Sequence, residues 1–275
     1  MICVSGIGVT KDFTCIITDQ LPDLELIGKS QCFPLYWYKE KEVQQLSLFD
    51  AAAADGKCYE RHEAITDWIL KEVRQRYNAP NFTREMIFYY VYGLLHSADY
   101  RSRFAADLKK SLPRIPLVDK AEDFLKFYKA GKELADLHLH YEQVKPYPGV
   151  MVEGDRPLTH TEADYDFYRV TDKMRFRSKE DKSTIFYNGH LTVTGIPAEA
   201  YGYVVNGKSA IEWIVERYAV TTDKKSLIRN DANDWAREHR QPRYILDLLL
   251  SVIQVSLETQ RIVQGLPRLE GDKNT

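Results

Sequence analysis

The sequence predicts an α+β fold, with a β-rich N-terminal segment, central helical hairpins and a C-terminal β-ribbon or meander followed by helices. Three observations carry this. Short β-branched and aromatic runs broken by turn residues fill residues 2–38; apolar residues recur at helical spacing between residues 62 and 141; and from Asp164 the pattern alternates before a long apolar helix closes the chain. A single domain of 275 residues is expected, divided into a β-rich region at 1–60, a helical region at 61–150, a mixed region at 151–266 and a disordered tail at 267–275.

The first runs, ICVSGIGV, FTCIITDQ and CFPLYWY, are expected to be strands of one sheet, and SLFDAAAADGK (47–57) a loop. HEAITDWILKEVRQRY places Ile65, Trp68, Ile69 and Val73 at helical spacing. The stretch IFYYVYGLLHSADYRSRF (87–104) predicts helix, turn, helix. Thr83 caps the first helix, whose stripe is Ile87, Tyr90, Val91 and Leu94; Ser97 caps the second, whose stripe is Tyr100, Phe104 and Leu108, until the prolines of LPRIP end it. Most of these aromatics are then core, and His96 at the joint is a structural histidine. A further helix should run from its cap, Asp119, to about Tyr141, studded with Phe124, Leu125, Tyr128, Leu134 and Leu137. YDFYRVTDKMRFRS, the charged turn KEDKS and TIFYNGHLTVTGIP form the expected ribbon. After it come an amphipathic helix in NGKSAIEWIVERYAV, a polar loop in RNDANDWAREHRQPRY and a closing helix from Tyr244 to Gly265.

A hydrophobic content of 44% excludes a disordered chain, and a net charge of −2 excludes a globally basic nucleic-acid binder, so any binding charge must be local. Two basic islands qualify. One holds Arg101, Arg103, Lys109, Lys110 and Arg114 with Asp107 nearby; the other, Arg169 to Lys182, carries six basic and three acidic residues. Either could also be an ordinary solvated face. Four cysteines, Cys3, Cys15, Cys32 and Cys58, form no CxxC pair and follow no signal peptide, which predicts a reduced, cytoplasmic protein. No apolar run approaches eighteen residues, so no membrane partner is expected. The abrupt apolar opening MICVSGIGV suggests a piece of something longer.

Several motifs invite chemistry. GYVVNGKS matches the GxxxxGK[ST] spacing of a phosphate loop, but Tyr203, Val204 and Val205 are bulky where backbone N–H groups would wrap a phosphate, and no apolar strand precedes it. His138 and His140 lie two apart, about 200° around a helix, and cannot share one metal ion. EDK (180–182) has the letters of a nuclease motif but falls in a turn, and NAPN is no adenine-methylation loop. No catalytic residue and no cofactor is expected. What remains is recognition: Arg169, Lys173, Arg175, Arg177, Lys179 and Lys182, with Tyr187, Asn188 and His190, combine phosphate contacts with base-edge donors and acceptors on a ribbon that fits a major groove.

FYYVYGLLHSADYRSRFAADLKKSLPRIP, YNGHLTVTGIPAEAYGYVVNGKSAIEWIVERYAV and NDWAREHRQPRYILDLLLSVIQVSLETQRIVQGLP, in that order, resemble the C-terminal specificity region of Type ISP restriction-modification enzymes, as do ICVSGIGVTKDFTCIITDQLPDL and CFPLYWY. The resemblance runs from Ile2 to about Leu266. It implies a target recognition domain for double-stranded DNA, attached in the parent enzyme to a nuclease, a helicase-like ATPase and an adenine methyltransferase, and itself non-enzymatic. Where the family pattern has Gly and Pro in KSGIxNDPN, this chain has Leu227 and Ala232, which would alter the loop if that Gly needs positive φ. Expected DNA contacts are the Arg169–His190 ribbon, then Lys208, with Arg101, Arg103 and Arg114 as phosphate or domain contacts. The rival expectations are a protein–protein docking remnant, or a small enzyme using GYVVNGKS on nucleotides.

Overall fold

The computed structural model describes residues 1–41 and 59–269; the expected loop at 47–57, Cys58 and residues 270–275 of the expected tail lie outside the described residues. The α+β class is what the structure has. The chain divides into two compact units, one of residues 1–135 with those from Gly265 on, the other of residues 136–264.

In the first unit β1 (Ile2–Val4) is the central strand of an antiparallel sheet, between β2 (Cys15–Ile17) and β3 (Gln31–Phe33). Of CFPLYWY, only Cys32 and Phe33 belong to this sheet. Pro34 offers no backbone N–H, and beyond it β4 (Tyr36–Glu40) pairs instead with β5 (Tyr59–Glu63) in a separate ribbon. The next helix therefore starts late: α1 (Asp67–Arg76) buries Leu70 and Val73, while Trp68 is 72% exposed and not part of the packed stripe.

The helical hairpin matches its sequence closely. Thr83 accepts a hydrogen bond from the Met86 N–H at the start of α2 (Arg84–His96), and Ser97 accepts from Tyr100 N–H at the start of α3 (Ala98–Arg103). The chain then breaks at Phe104 before the short α4 (Ala105–Leu108). Tyr90 and Tyr100 are buried and Tyr77 is half-buried, and all three use their hydroxyls. Tyr100 donates to Arg114 O at 2.7 Å, Tyr90 to Pro116 O at 2.6 Å and Tyr77 to Val118 O at 2.5 Å, so three phenols satisfy the carbonyls of the extended 114–118 segment. His96 is structural, its Nδ1 2.9 Å from Tyr92 O.

α5 (Ala121–Leu139) begins two residues after Asp119, whose carboxylate is taken by Arg76 at 2.9 Å. Its buried positions are Phe124, Phe127, Gly131, Leu134 and Ala135 rather than the expected Leu125 and Tyr128. Glycines decide this rotation: a Cβ at Gly131 would lie 1.8 Å from Tyr89 O and one at Gly93 2.2 Å from Phe127 O, so α2 and α5 touch backbone to backbone. The Tyr90 and Phe124 rings stack beside that contact, 4.4 Å apart. Leu269, in the expected tail, is buried and held: its N–H donates to Asp99 and its carbonyl accepts from Arg103.

In the second unit β6 (Met151–Glu153), β7 (Arg175–Phe176), β8 (Ile185–Phe186) and β9 (Thr192–Thr194) form an antiparallel sheet in the order β6-β9-β8-β7. The ribbon is thus real but shorter than expected, because YDFY is helical: α6 (Glu162–Tyr168) follows Thr161 and carries acids in its first turn. Asp164, fully buried, accepts from the N–H groups of Thr159 and His160 and from the Thr159 hydroxyl, which fixes the helix start.

GYVVNGKS is a hairpin. β10 (Val204–Val205) and β11 (Lys208–Ser209) are joined through Asn206 and Gly207 at φ of 51° and 83°, the signature of a tight two-residue turn, and no phosphate-wrapping loop exists there. Ser209 and Glu212 then form a reciprocal cap on α7 (Ala210–Arg217).

The expected polar loop holds structure too. β12 (Thr221–Thr222) pairs with β13 (Arg229–Asn230), and Asp231 caps α8 (Ala232–Glu238) by accepting from Asn233 N–H. The hairpin forces Leu227, 75% exposed, into left-handed backbone at φ 58°. α9 (Tyr244–Gln264) closes the unit and buries Leu246, Leu249 and Ile253 in one apolar cluster with Ile185, Val193 and Ile211. Among the described residues no helix is long and apolar enough to cross a membrane.

Candidate nucleic-acid interface

Strand alternation sorts the four-stranded sheet into two faces. The row Val152, Val193, Ile185, Phe176 runs across it in register and turns toward the apolar core, so the next row, Glu153, Thr192, Phe186, Arg175, lies on the other side. On that outer side the sheet, the segment leading from α6 into β7 and the β8–β9 turn enclose an open cleft of about 520 Å³. It brings together six of the expected residues with room for a ligand: Arg169, Lys173, Arg175, Tyr187, Asn188 and His190.

Each is held differently. Arg175 lies over the Phe186 ring, 4.8 Å from its centroid, which orients the guanidinium while leaving it exposed. Lys173 is exposed and makes no ion pair among the described residues. His190 is exposed and stacks on Phe167 at 5.1 Å. Asn188 organises the turn: its amide donates to Phe167 O and Arg169 O, and its side-chain oxygen accepts from the N–H groups of His190 and Leu191. Arg169 donates to Asp231 at 2.7 Å.

The remaining expected residues lie elsewhere. Arg177 and Lys179 are exposed at the β7–β8 connection, where Arg177 faces Asp181 at 3.6 Å. Lys182 and Lys208 instead face α7. Lys182 donates to Glu212 at 2.7 Å near the Phe176 and Tyr201 rings, and Lys208 pairs with Glu216 beside Trp213. Burial opposes ionisation of Glu212, but the bonds from Lys182 and Ser209 prevail and hold its carboxyl below the usual range; the Lys208 bond does the same for Glu216. Tyr187, although it borders the cleft, is 1% exposed and donates its hydroxyl to Tyr168 O at 2.9 Å, so its ring belongs to the core.

In the first unit Arg101 donates to Leu95 O at 2.6 Å and lies near the Phe13 ring, and Arg103 donates to Leu269 O. Both are used in holding the fold. Arg114 is exposed and contributes its carbonyl to Tyr100.

The cleft also contains residues that sequence reasoning does not single out: Asp166, Asp172, Gly189 and Thr192. The signal for Thr192 is the alternation of β9, and Asp172 and Gly189 fall within the expected Arg169–His190 ribbon; for Asp166 none is readable, since α6 meets the turn only in three dimensions.

The family model of the Type ISP C-terminal specificity domain matches residues 1–248. The chain belongs to that family. Solved structures agree with this specificity domain over its length. The ATP-dependent Type ISP restriction-modification enzyme LlaBIII bound to DNA matches 98% of the chain at 40% identity and a TM-score of 0.81. A nuclease-deletion mutant of the Type ISP enzyme LlaGI, in complex with a DNA substrate mimic, matches 98% at 39% identity and 0.75, and the DrdV–DNA complex matches 98% at 34% and 0.76. The specificity domain spans only 16%, 21% and 25% of those chains, respectively. No curated protein sequence matches it significantly.

Proposed function

We propose that this chain reads a short sequence in double-stranded DNA and directs adenine methyltransferase, helicase-like ATPase and nuclease modules to it, with no catalysis and no cofactor of its own. The observation that carries the reading is the likeness, across 98% of the chain, to Type ISP enzymes whose structures hold DNA. The second unit offers a surface suited to the task. A two-stranded ribbon edge fits a major groove, and the cleft beside it mixes cations with hydrogen-bonding groups, as base reading requires. Lys179, exposed at the β7–β8 connection, extends the positive edge for a phosphate contact.

Binding to a pool of random duplex DNA, with the retained molecules sequenced, tests the reading. Enrichment of one short sequence, with affinity falling steeply as salt rises, is the expected result. No enrichment by a folded chain sinks it.

A further inference from the structure

Gly189 stands at the tip of the β8–β9 turn, and the fold does not require a glycine there. A Cβ built on it meets nothing within 4 Å, and its backbone lies outside the left-handed region. Gly93 and Gly131 differ because a Cβ would collide with backbone, and Gly154, Gly195 and Gly207 because φ is positive. Glycine in such a place costs unfolded-chain entropy and returns nothing to the native state. What it supplies is clearance: Gly189 lines the 520 Å³ cleft.

The wall around that clearance is fixed. The four hydrogen bonds of Asn188 pin the turn on one side, and the stack of His190 on Phe167 pins it on the other. Facing it are Arg175, laid over Phe186, and two exposed carboxylates, Asp166 and Asp172, which carry no ion pair among the described residues. Two unneutralised carboxylates repel a phosphate backbone. They accept hydrogen bonds from exocyclic base amines, and an arginine edge suits guanine O6 and N7.

We infer that the cleft is a base-reading pocket in which Gly189 gives the major-groove edge of a base pair room to approach, while Asp172 and Arg175 choose among bases. This rests on the DNA-recognition reading above and names the part of the surface that discriminates.

The test is duplex selection by the full chain and by Gly189→Leu, Gly189→Ala and Asp172→Asn, each checked by thermal melting. The parent chain should select one sequence. Gly189→Leu should melt unchanged and bind that sequence at least about tenfold more weakly, with Gly189→Ala intermediate. Asp172→Asn should keep most of its affinity but relax the choice at one base pair by about tenfold. Failure of the parent chain to select any sequence overturns the functional reading and this one with it. If the parent selects while the variants select the same sequence with the same affinity, the inference alone is overturned. A uniform loss across all sequences puts the phosphate backbone at the turn and overturns it equally. Should Gly189→Leu fold poorly, Gly189→Ala and Asp172→Asn decide the matter.

Discussion

The Arg169 guanidinium lies 2.7 Å from the Asp231 carboxylate, which joins the end of α6 to the cap of α8. Asp231 is buried and also accepts from Arg229 and from the Asn233 N–H, so one carboxylate organises a wall of the cleft and a helix start together. Asp231→Ala removes a cap and leaves Arg169 without its partner. It is expected to destabilise the chain by about 2–3 kcal/mol in urea unfolding. Burial opposes ionisation of Asp231, but the Asn233 and Arg169 bonds outweigh it and hold its carboxyl below the usual aspartate range. The stabilisation is therefore complete above the unfolded value of roughly 4 and is lost as pH falls through the lower folded one. The parent should lose stability below about pH 4 more steeply than Asp231→Ala does.

The backbone contact between α2 and α5 leaves no room for a methyl group. Gly131→Ala places a Cβ against Tyr89 O and forces the helices apart. A loss of about 3 kcal/mol is expected, measured by urea unfolding, against the gain of about 0.5–1 kcal/mol that a Gly-to-Ala change brings in an open helix.

Leu227 occupies left-handed backbone at φ 58°, and Ala232 sits at the first helical position of α8 behind an extended Asp231. The first position disfavours a side chain and the second welcomes proline, whose missing N–H is not needed there. Leu227→Gly and Ala232→Pro should each raise stability, by about 1 and 0.5 kcal/mol, and together raise the melting temperature. A fall in melting temperature for both would refute this account of the loop.

Cations that look alike in the sequence separate by partner. Lys173→Glu and Lys179→Glu should weaken DNA binding across sequences and flatten its salt dependence, by about one unit of slope for each phosphate no longer neutralised. Lys182→Met, whose Nζ is held by Glu212, should lower stability by less than about 1 kcal/mol and leave DNA affinity unchanged. An equal loss of affinity for Lys182→Met would return that lysine to the interface.

Tyr187→Phe removes a hydroxyl that is wholly internal. It should cost about 1 kcal/mol in unfolding and leave the selected sequence the same, which separates a core role from a reading role.

Local patterns make much of this protein legible. Thr83 and Ser97 announce helix starts because a side-chain oxygen satisfies a backbone N–H within three residues, and the apolar run from Tyr244 specifies α9 by its own length. The same locality explains the misses. YDFY has the aromatic alternation of a strand, and the signal that makes it helix, Asp164 closing on Thr159 and His160, lies in the turn before it. Trp68 and Leu125 sit at plausible helical spacing, yet the face of α5 that packs is set by Gly93 and Gly131, which meet only when α2 and α5 cross, and Trp68 is left outside the stripe that α1 buries.

The sequence by itself determined the α+β class, the main helices, the presence of a ribbon after Arg169 and where the positive charge is concentrated, because each depends on neighbours a few residues away. Only the tertiary structure decided which charges are available. Lys182 and Lys208 are paired with carboxylates of α7, Arg103 is held by Asp99 and the Leu269 carbonyl, and Tyr187 is spent on Tyr168 O, whereas Lys173, Arg175 and His190 converge on the cleft with Asp172 and Gly189. Whether a cation can meet DNA depends on which acid the folded chain places within about 4 Å of it, and that distance is set by packing between segments remote in sequence.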